Sequence, residues 1–252
     1  MKTIKNIGVK SSIGMIAALA LTLGAERAQA NNLFGIDVSS FQGSINWGSV
    51  HNNGAHYAFA KATEGTYYQD AYFNGNMNNG KANGMQMGAY HFARPDTTCP
   101  SSQATYFWNF AGGKIIADGK SIFPMVDFEH FAGHPCESSY TSWFNDYSTD
   151  LKAKTSHFIH PVLYASAGNG MCDLTTACTL SAWVANYNGE NLYTGNPWSC
   201  CDCCNYVSPC TQNNWTYWQV SSSGRIGGIS GNVDFDAYPL SLSLLISYQG
   251  VH

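Results

Sequence analysis

The chain has 252 residues, with 12 Lys and Arg against 16 Asp and Glu, for a formal net charge of −4. Charged side chains make up only 11% and no Lys/Arg stripe runs through it, which argues against nucleic acid as a partner. Aromatic residues reach 14% and cysteines number nine, so the chain belongs with exported, aromatic-rich globular proteins rather than with disordered or collagenous ones.

Residues 1–30 read as a secretory signal peptide. Lys2, Lys5 and Lys10 precede the uncharged stretch 11–25, and Ala28-Gln29-Ala30 offers small residues for cleavage. The apolar part is short for a membrane span, and no later segment is long and apolar enough, so the expected location is secreted, extracellular or periplasmic, with no membrane association after cleavage. Residues 31–252 then carry eight basic and fifteen acidic side chains, net −7, and suit one domain. All nine cysteines lie in this part, five of them between Cys200 and Cys210. Export favours disulfides over a thiolate metal site, and the odd count leaves one sulfur unpaired, shared between chains or modified. His130, His134 and Cys136 have metal-like spacing, but a loop reading is preferred and no metal is expected.

Eight β-like runs follow in order: Phe34–Val38, Tyr57–Thr63, Gln86–Phe92, Phe123–Glu129, Pro161–Ala165, Ala182–Tyr187, Thr216–Val220 and Asn232–Tyr238. Helical segments fall at Asp70–Asn83, Ser101–Phe110 and Ser139–Ala153; in the last, Tyr140, Trp143, Phe144, Tyr147 and Leu151 recur by threes and fours. Strand–helix alternation early and closely spaced strands after about residue 185 predict an α/β fold, a TIM-like barrel in a single domain whose last part has lost its helices.

In such a barrel, function gathers at the C-terminal ends of the strands. Asp37, Glu64, Tyr90 with His91, Asp127 with Glu129, Tyr164, Trp183, Gln219, and Asp234 or Asp236 all fall near strand ends. Asp127 and Glu129, two residues apart in a strand, would face one point. Crowded carboxylates cannot both ionise freely, which yields one acid and one base near neutral pH, as glycosidic bond cleavage requires. A surface of Tyr, Trp, Asn, Gly and Ser also suits sugars, whose rings stack on aromatic faces.

Several runs resemble glycoside hydrolase family 25, the Chalaropsis-type lysozymes that cleave bacterial peptidoglycan. They are Gly35-Ile-Asp-Val-Ser-Ser-Phe-Gln-Gly, Ala60-Lys-Ala-Thr-Glu-Gly-Thr, Gly88-Ala-Tyr-His-Phe-Ala-Arg-Pro, Asp127-Phe-Glu, Ala182-Trp-Val-Ala-Asn-Tyr, Tyr217-Trp-Gln-Val-Ser-Ser-Ser-Gly and Val233-Asp-Phe-Asp. The resemblance spans nearly all of residues 31–252 and implies a (β/α)5β3 barrel. It implies N-acetylmuramidase activity on the β-1,4 bond between N-acetylmuramic acid and N-acetylglucosamine, with glycan strands of peptidoglycan as partner and no cofactor. Glu129 would be the acid/base. Asp127 would orient the substrate acetamido group, direct attack by Asp127 being the alternative. Asp37, Asp234, Glu64, Tyr90, Tyr164, Trp183 and Gln219 would hold substrate, and His91 would be structural. A monomer is expected. A chitinase-like glycosidase and an inactive glycan-binding protein are the competing readings.

Two departures from the family pattern stand out. Residues 188–214 form a long Cys-rich insertion, and Asp236 stands where a neutral residue is expected, with Asp234 preferred of the two. Cys136 with Cys172 is the leading disulfide expectation, as both belong to loops at the catalytic end. Activity is expected to favour acidic pH, because Glu129 must be protonated while Asp127 works ionised.

Overall fold

The structure is a computed structural model that describes residues 31–129, 131–155, 161–167, 170–174, 181–198 and 215–252. The proposed signal peptide, His130, Cys178 and the cluster Cys200–Cys210 lie outside the described residues, as does the side chain of Cys172. Strands β1 (Leu33–Val38), β2 (Tyr57–Glu64), β3 (Tyr68–Gln69), β4 (Gln86–Phe92), β5 (Met125–Asp127), β6 (Val162–Ser166), β7 (Ala182–Ala185), β8 (Tyr217–Gly224) and β9 (Val233–Tyr238) form one sheet in the order β1-β9-β8-β7-β6-β5-β4-β2-β3. Pairing of β1 with β2 closes eight of them into a barrel, and β3 is a short hairpin partner at the far end of β2. This is the expected TIM-like barrel in one domain. Helices α1 (Trp47–Asn52), α2 (Phe73–Ala82), α3 (Pro100–Ala111), α4 (Tyr140–Ala153), α5 (Gly170–Asp173) and α6 (Leu242–Gln249) accompany it.

Strict alternation along the strands separates two apolar regions. Outward residues such as Ile36, Val38, Ala58, Ala60, Val126 and Leu163 pack beneath the helices, with Trp143, Phe144, Tyr147 and Leu151 of α4 among them. Inward residues fill the lumen: Tyr57, Tyr217 and Tyr238 pack on one another, Phe59 and Trp183 meet at 4.6 Å, and Tyr164 lies on Trp183 at 4.4 Å. Gly35 is required here: a Cβ on it would sit 2.3 Å from the Tyr57 ring.

Helix boundaries follow the local chemistry. Ser139 caps α4 by accepting from Ser142 N–H. The second helix starts at Phe73 rather than Asp70, because the Asp70 carboxylate accepts from the backbone N–H of Tyr72 and of Ser40 and holds a turn instead. One expectation is corrected. Helices do not end after residue 185, since α6 places Leu245 against the barrel interior. Within the sheet β9 runs antiparallel to both β8 and β1. The segment between β8 and β9 is too short for a crossover helix, so the chain must turn back on itself.

Candidate active site

The barrel mouth is built from inward residues at one level. Asp37 near the end of β1, Asp127 at the end of β5 and Gln219 on β8 are all buried. Asp234 reaches the same level from the start of β9, being paired with Asp37 across the β1–β9 ladder. Glu129 lies two residues beyond β5 and is exposed. Between them, Phe128 turns outward and packs on Phe131, Tyr140 and Trp143, and its N–H bonds to the Tyr164 carbonyl. The alternation therefore continues past the strand, and the two carboxyls share a side although only Asp127 is in the strand.

Gln219 organises the cluster. Its Nε2 donates to Asp37 Oδ2 at 2.7 Å and toward Asp234 Oδ2 at 3.4 Å, while its Oε1 accepts from Tyr164 Oη at 2.8 Å and Tyr187 Oη at 2.7 Å. A cleft of about 180 Å³ opens above, lined by Asp37, Ser39, Phe41, Tyr90, Ser222 and Asp234 among others. One wall is the turn after β1. There Ser39 and Gln42 cap each other's backbone, and Gln42 Nε2 donates to the Asn232 carbonyl across the cleft.

Burial first, and neighbouring carboxylates second, push the acids of this mouth upward. Asp37 is raised well above the ordinary range by desolvation and then by Asp236 and Asp234. Asp127 is raised by desolvation and then by the charge of Glu129, with Lys61 opposing. Desolvation raises Asp234 to about 6. A carboxyl with a raised folded-state pKa stabilises the fold below its unfolded value, and that stability is lost as pH rises through the folded one. His91 works the other way. Its burial lowers it to about 4, so its contribution is present above about 6.5 and lost on acidification. The clean readout is thus a difference. Asp234→Asn is expected to match the parent in thermal stability below about pH 4 and to exceed it by about 1–2 kcal/mol at pH 7.5, a figure reduced for solvent screening. Equal melting temperatures at pH 7.5 would contradict the raised carboxyl.

His91 is structural, as expected. Gln103 Oε1 faces the Arg94 N–H, so it must accept from His91 Nε2–H at 2.9 Å, leaving Nδ1 to accept from Thr63 Oγ1 at 2.8 Å. Gln103 Nε2 donates to the Arg94 and Thr98 carbonyls and pins the loop after β4. That loop ends at Cys99, which is disulfide-bonded to Cys136 with Cα atoms 5.2 Å apart. This corrects the Cys136–Cys172 expectation. The loops after β4 and β5 lie side by side because their strands are neighbours, and a Cys136 sulfur already bonded to Cys99 cannot also pair with Cys172.

Not every expected residue faces the cleft. Asp37, Asp234 and Tyr90 line it, while Gln219 and Tyr164 are hydrogen-bonded to that cluster and the buried Asp127 stands within electrostatic reach of Asp37 and Tyr90. Glu64 is engaged at the rim by Lys61 Nζ at 2.9 Å, Tyr67 Oη at 2.8 Å and Arg94 Nη1 at 3.3 Å. Burial opposes its ionisation, but these donors hold it below the usual carboxylate range. Trp183 lies a layer down, only 2% exposed, and its Nε1 donates to Asp236. Trp183 is a core residue rather than a sugar-contacting one, which corrects that expectation, and Glu64 is an ion-pair anchor at the rim, partly exposed and within electrostatic reach of Asp127. Asp236 is likewise below the mouth. Because β9 is antiparallel, its first residues, not its last, reach that level. Phe41 and Tyr187, 84% and 54% exposed, were given no role by the sequence reading. Phe41 lies in the Gly35–Gly43 run, and only the closed barrel brings it beside the acids. Tyr187 follows β7 and reaches Gln219 only because β7 and β8 are paired.

The model of the family "Glycosyl hydrolases family 25" matches residues 36–229. Over 236 residues the chain is 35% identical to "Lysozyme M1" of Streptomyces globisporus, covering 87% of this chain and 72% of that protein. It is 30% identical over 216 residues to "N,O-diacetylmuramidase" of Chalaropsis sp, covering 79% and 95%. A bacterial lysozyme from Streptomyces coelicolor, solved by crystallography, superposes with a TM-score of 0.68 at 34% identity, covering 86% of this chain and 96% of that one. With the barrel, the acidic mouth and these matches in one chain, the protein is a glycoside hydrolase that belongs to family 25.

Proposed function

We propose that the protein is a secreted N-acetylmuramidase that hydrolyses the β-1,4 bond from N-acetylmuramic acid to N-acetylglucosamine in peptidoglycan. Glu129 acts as acid and then base, and Asp127 assists the substrate acetamido group. The observation that carries this reading is the contrast within the pair: Asp127 is 6% exposed inside the barrel, and Glu129 stands exposed beside it. Lysozymes and muramidases among the relatives support the substrate class. The segment 1–30 supports secretion, and among the described residues no helix is long and apolar enough to cross a membrane.

In the empty site, burial favours a proton on Asp127. Substrate reverses this. The acetamido N–H donates to Asp127 and favours its ionised form, while Glu129, exposed beside it, faces the glycosidic oxygen. Glu129 then protonates the glycosidic oxygen as the acetamido oxygen attacks C1. The C1–O bond breaks, and a cyclic cation forms beside the Asp127 carboxylate. Water, deprotonated by Glu129, opens that ring and returns the proton to Glu129. Asp37 and Asp234, fixed by Gln219, hold sugar hydroxyls at the cleft floor, with Tyr90 beside them and Phe41 offering a face for ring stacking.

The test is digestion of purified peptidoglycan by residues 31–252, followed by borohydride reduction and mass spectrometry. Reduced muramic acid ends are the expected product. Reduced glucosamine ends would replace the reading with a glucosaminidase, turnover of chitin alone with a chitinase-like enzyme, and binding without cleavage with a glycan-binding protein.

A further inference from the structure

Four of the nine residues that line the cleft, Val38, Ser39, Phe41 and Gln42, come from one short segment at the end of β1. None of Ser40, Phe41 and Gln42 is buried, so this turn has no apolar anchor of its own. A surface turn held by few buried contacts opens locally at little cost. Here hydrogen bonds to the segment 68–72 replace the missing packing. The Asp70 carboxylate is 1% exposed, and its Oδ2 accepts from the N–H of Ser40, thirty residues earlier, at 2.7 Å. Its Oδ1 accepts from Tyr72 N–H at 2.9 Å. Tyr68 Oη donates to the same Oδ2 at 3.3 Å and lies 2.9 Å from Ser40 Oγ. Asp70 is tied to the barrel in turn, since its own N–H donates to the Ala62 carbonyl of β2 at 2.8 Å. The turn that precedes α2 needs only Oδ1. The second oxygen reaches across to the cleft wall.

We propose that Asp70 is a positioning residue for glycan binding: it fixes the turn 39–43, and with it the exposed Phe41 ring, where a sugar of the glycan strand stacks. Asp70 does not line the cleft, so it acts through Ser40 and Phe41. A ring already held in place costs less ordering on binding than one carried by a loose turn. The kinetic part of this inference rests on the muramidase reading; the hydrogen-exchange part does not.

Asp70→Ala removes both acceptors. Amide hydrogen exchange, read by mass spectrometry, is expected to quicken about tenfold at residues 39–43, the ordinary worth of a hydrogen bond to a charged group, while β1 and β2 keep their protection. On soluble glycan strands of peptidoglycan, KM is expected to rise about tenfold with kcat within about threefold of the parent, the pattern of binding lost equally from ground and transition state. Asp70→Asn leaves one of the two backbone N–H groups without an acceptor and should fall between. Phe41→Ala should also raise KM, and adding Asp70→Ala to it should raise KM little further, because both remove the same contact. If Asp70→Ala does not fold, Tyr68→Phe, which removes the hydroxyl shared by Ser40 and Asp70, is expected to move exchange and KM the same way by a smaller factor. The proposal is overturned if exchange at residues 39–43 is unchanged, if KM stays at the parent value, or if the effects of Asp70→Ala and Phe41→Ala on KM multiply in full. Faster exchange confined to residues 39–43 in a protein that cuts no peptidoglycan would uphold the hold of Asp70 on the turn and sink the muramidase reading.

Discussion

Glu129→Gln is expected to fold like the parent and to lose about 10²–10⁴-fold in kcat, the usual contribution of a positioned general acid. The fold should not notice, because Glu129 is exposed and two residues past β5. Phe128, not Glu129, anchors that segment through Phe131, Tyr140 and Trp143. The substituted amide keeps the shape and can still donate a hydrogen bond, but it has no proton to give to a leaving oxygen. KM should therefore change less than kcat, the pattern of an interaction made only in the transition state. Activity within tenfold of the parent, with an unchanged melting temperature, would remove Glu129 from its role. Asp127→Asn is the companion: it also loses kcat, yet it is expected to raise the melting temperature near neutral pH, because it removes a buried carboxyl crowded by a second one.

Trp183→Ala is expected to destabilise the protein by about 3–5 kcal/mol, the range for truncating a large buried aromatic. Phe59, Tyr90 and Tyr164 all pack on this ring, at 4.6, 6.3 and 4.4 Å. Close packing means that no neighbour can fill the space without leaving its rotamer. The indole N–H is also the donor to Asp236, so the alanine variant leaves a buried polar oxygen unmet. In a barrel of this size the melting temperature should fall by about 6–20 °C. Trp183→Phe should recover part of the packing and none of the hydrogen bond, and so fall between. A shift of only a degree or two for the alanine variant would mean that the lumen is far less tightly filled than the ring contacts imply.

The barrel was legible in the sequence for a physical reason. Strands covered on both faces read as short apolar runs, and crossover helices such as Tyr140–Ala153 show their buried stripe at helical spacing. Asp127 and Glu129 were legible too, because a two-residue offset in extended chain has only one geometric meaning. Other features were not. The helix Leu242–Gln249 carries apolar residues with little periodicity, since the barrel end it covers is not readable from the strands' own sequences. Glu64 looks like any other strand-end acid until Lys61 and Arg94 are seen to hold it. Composition, periodicity and motif order therefore determined the architecture, the family resemblance and the proposed catalytic pair by local rules. The direction of β9, and with it the assignment of Asp234 to the mouth and Asp236 to the floor beneath, was decided only by closure of the sheet. So were the Cys99–Cys136 bond and the burial of Trp183, because strand adjacency and depth in a closed barrel are set by distant segments pairing with one another.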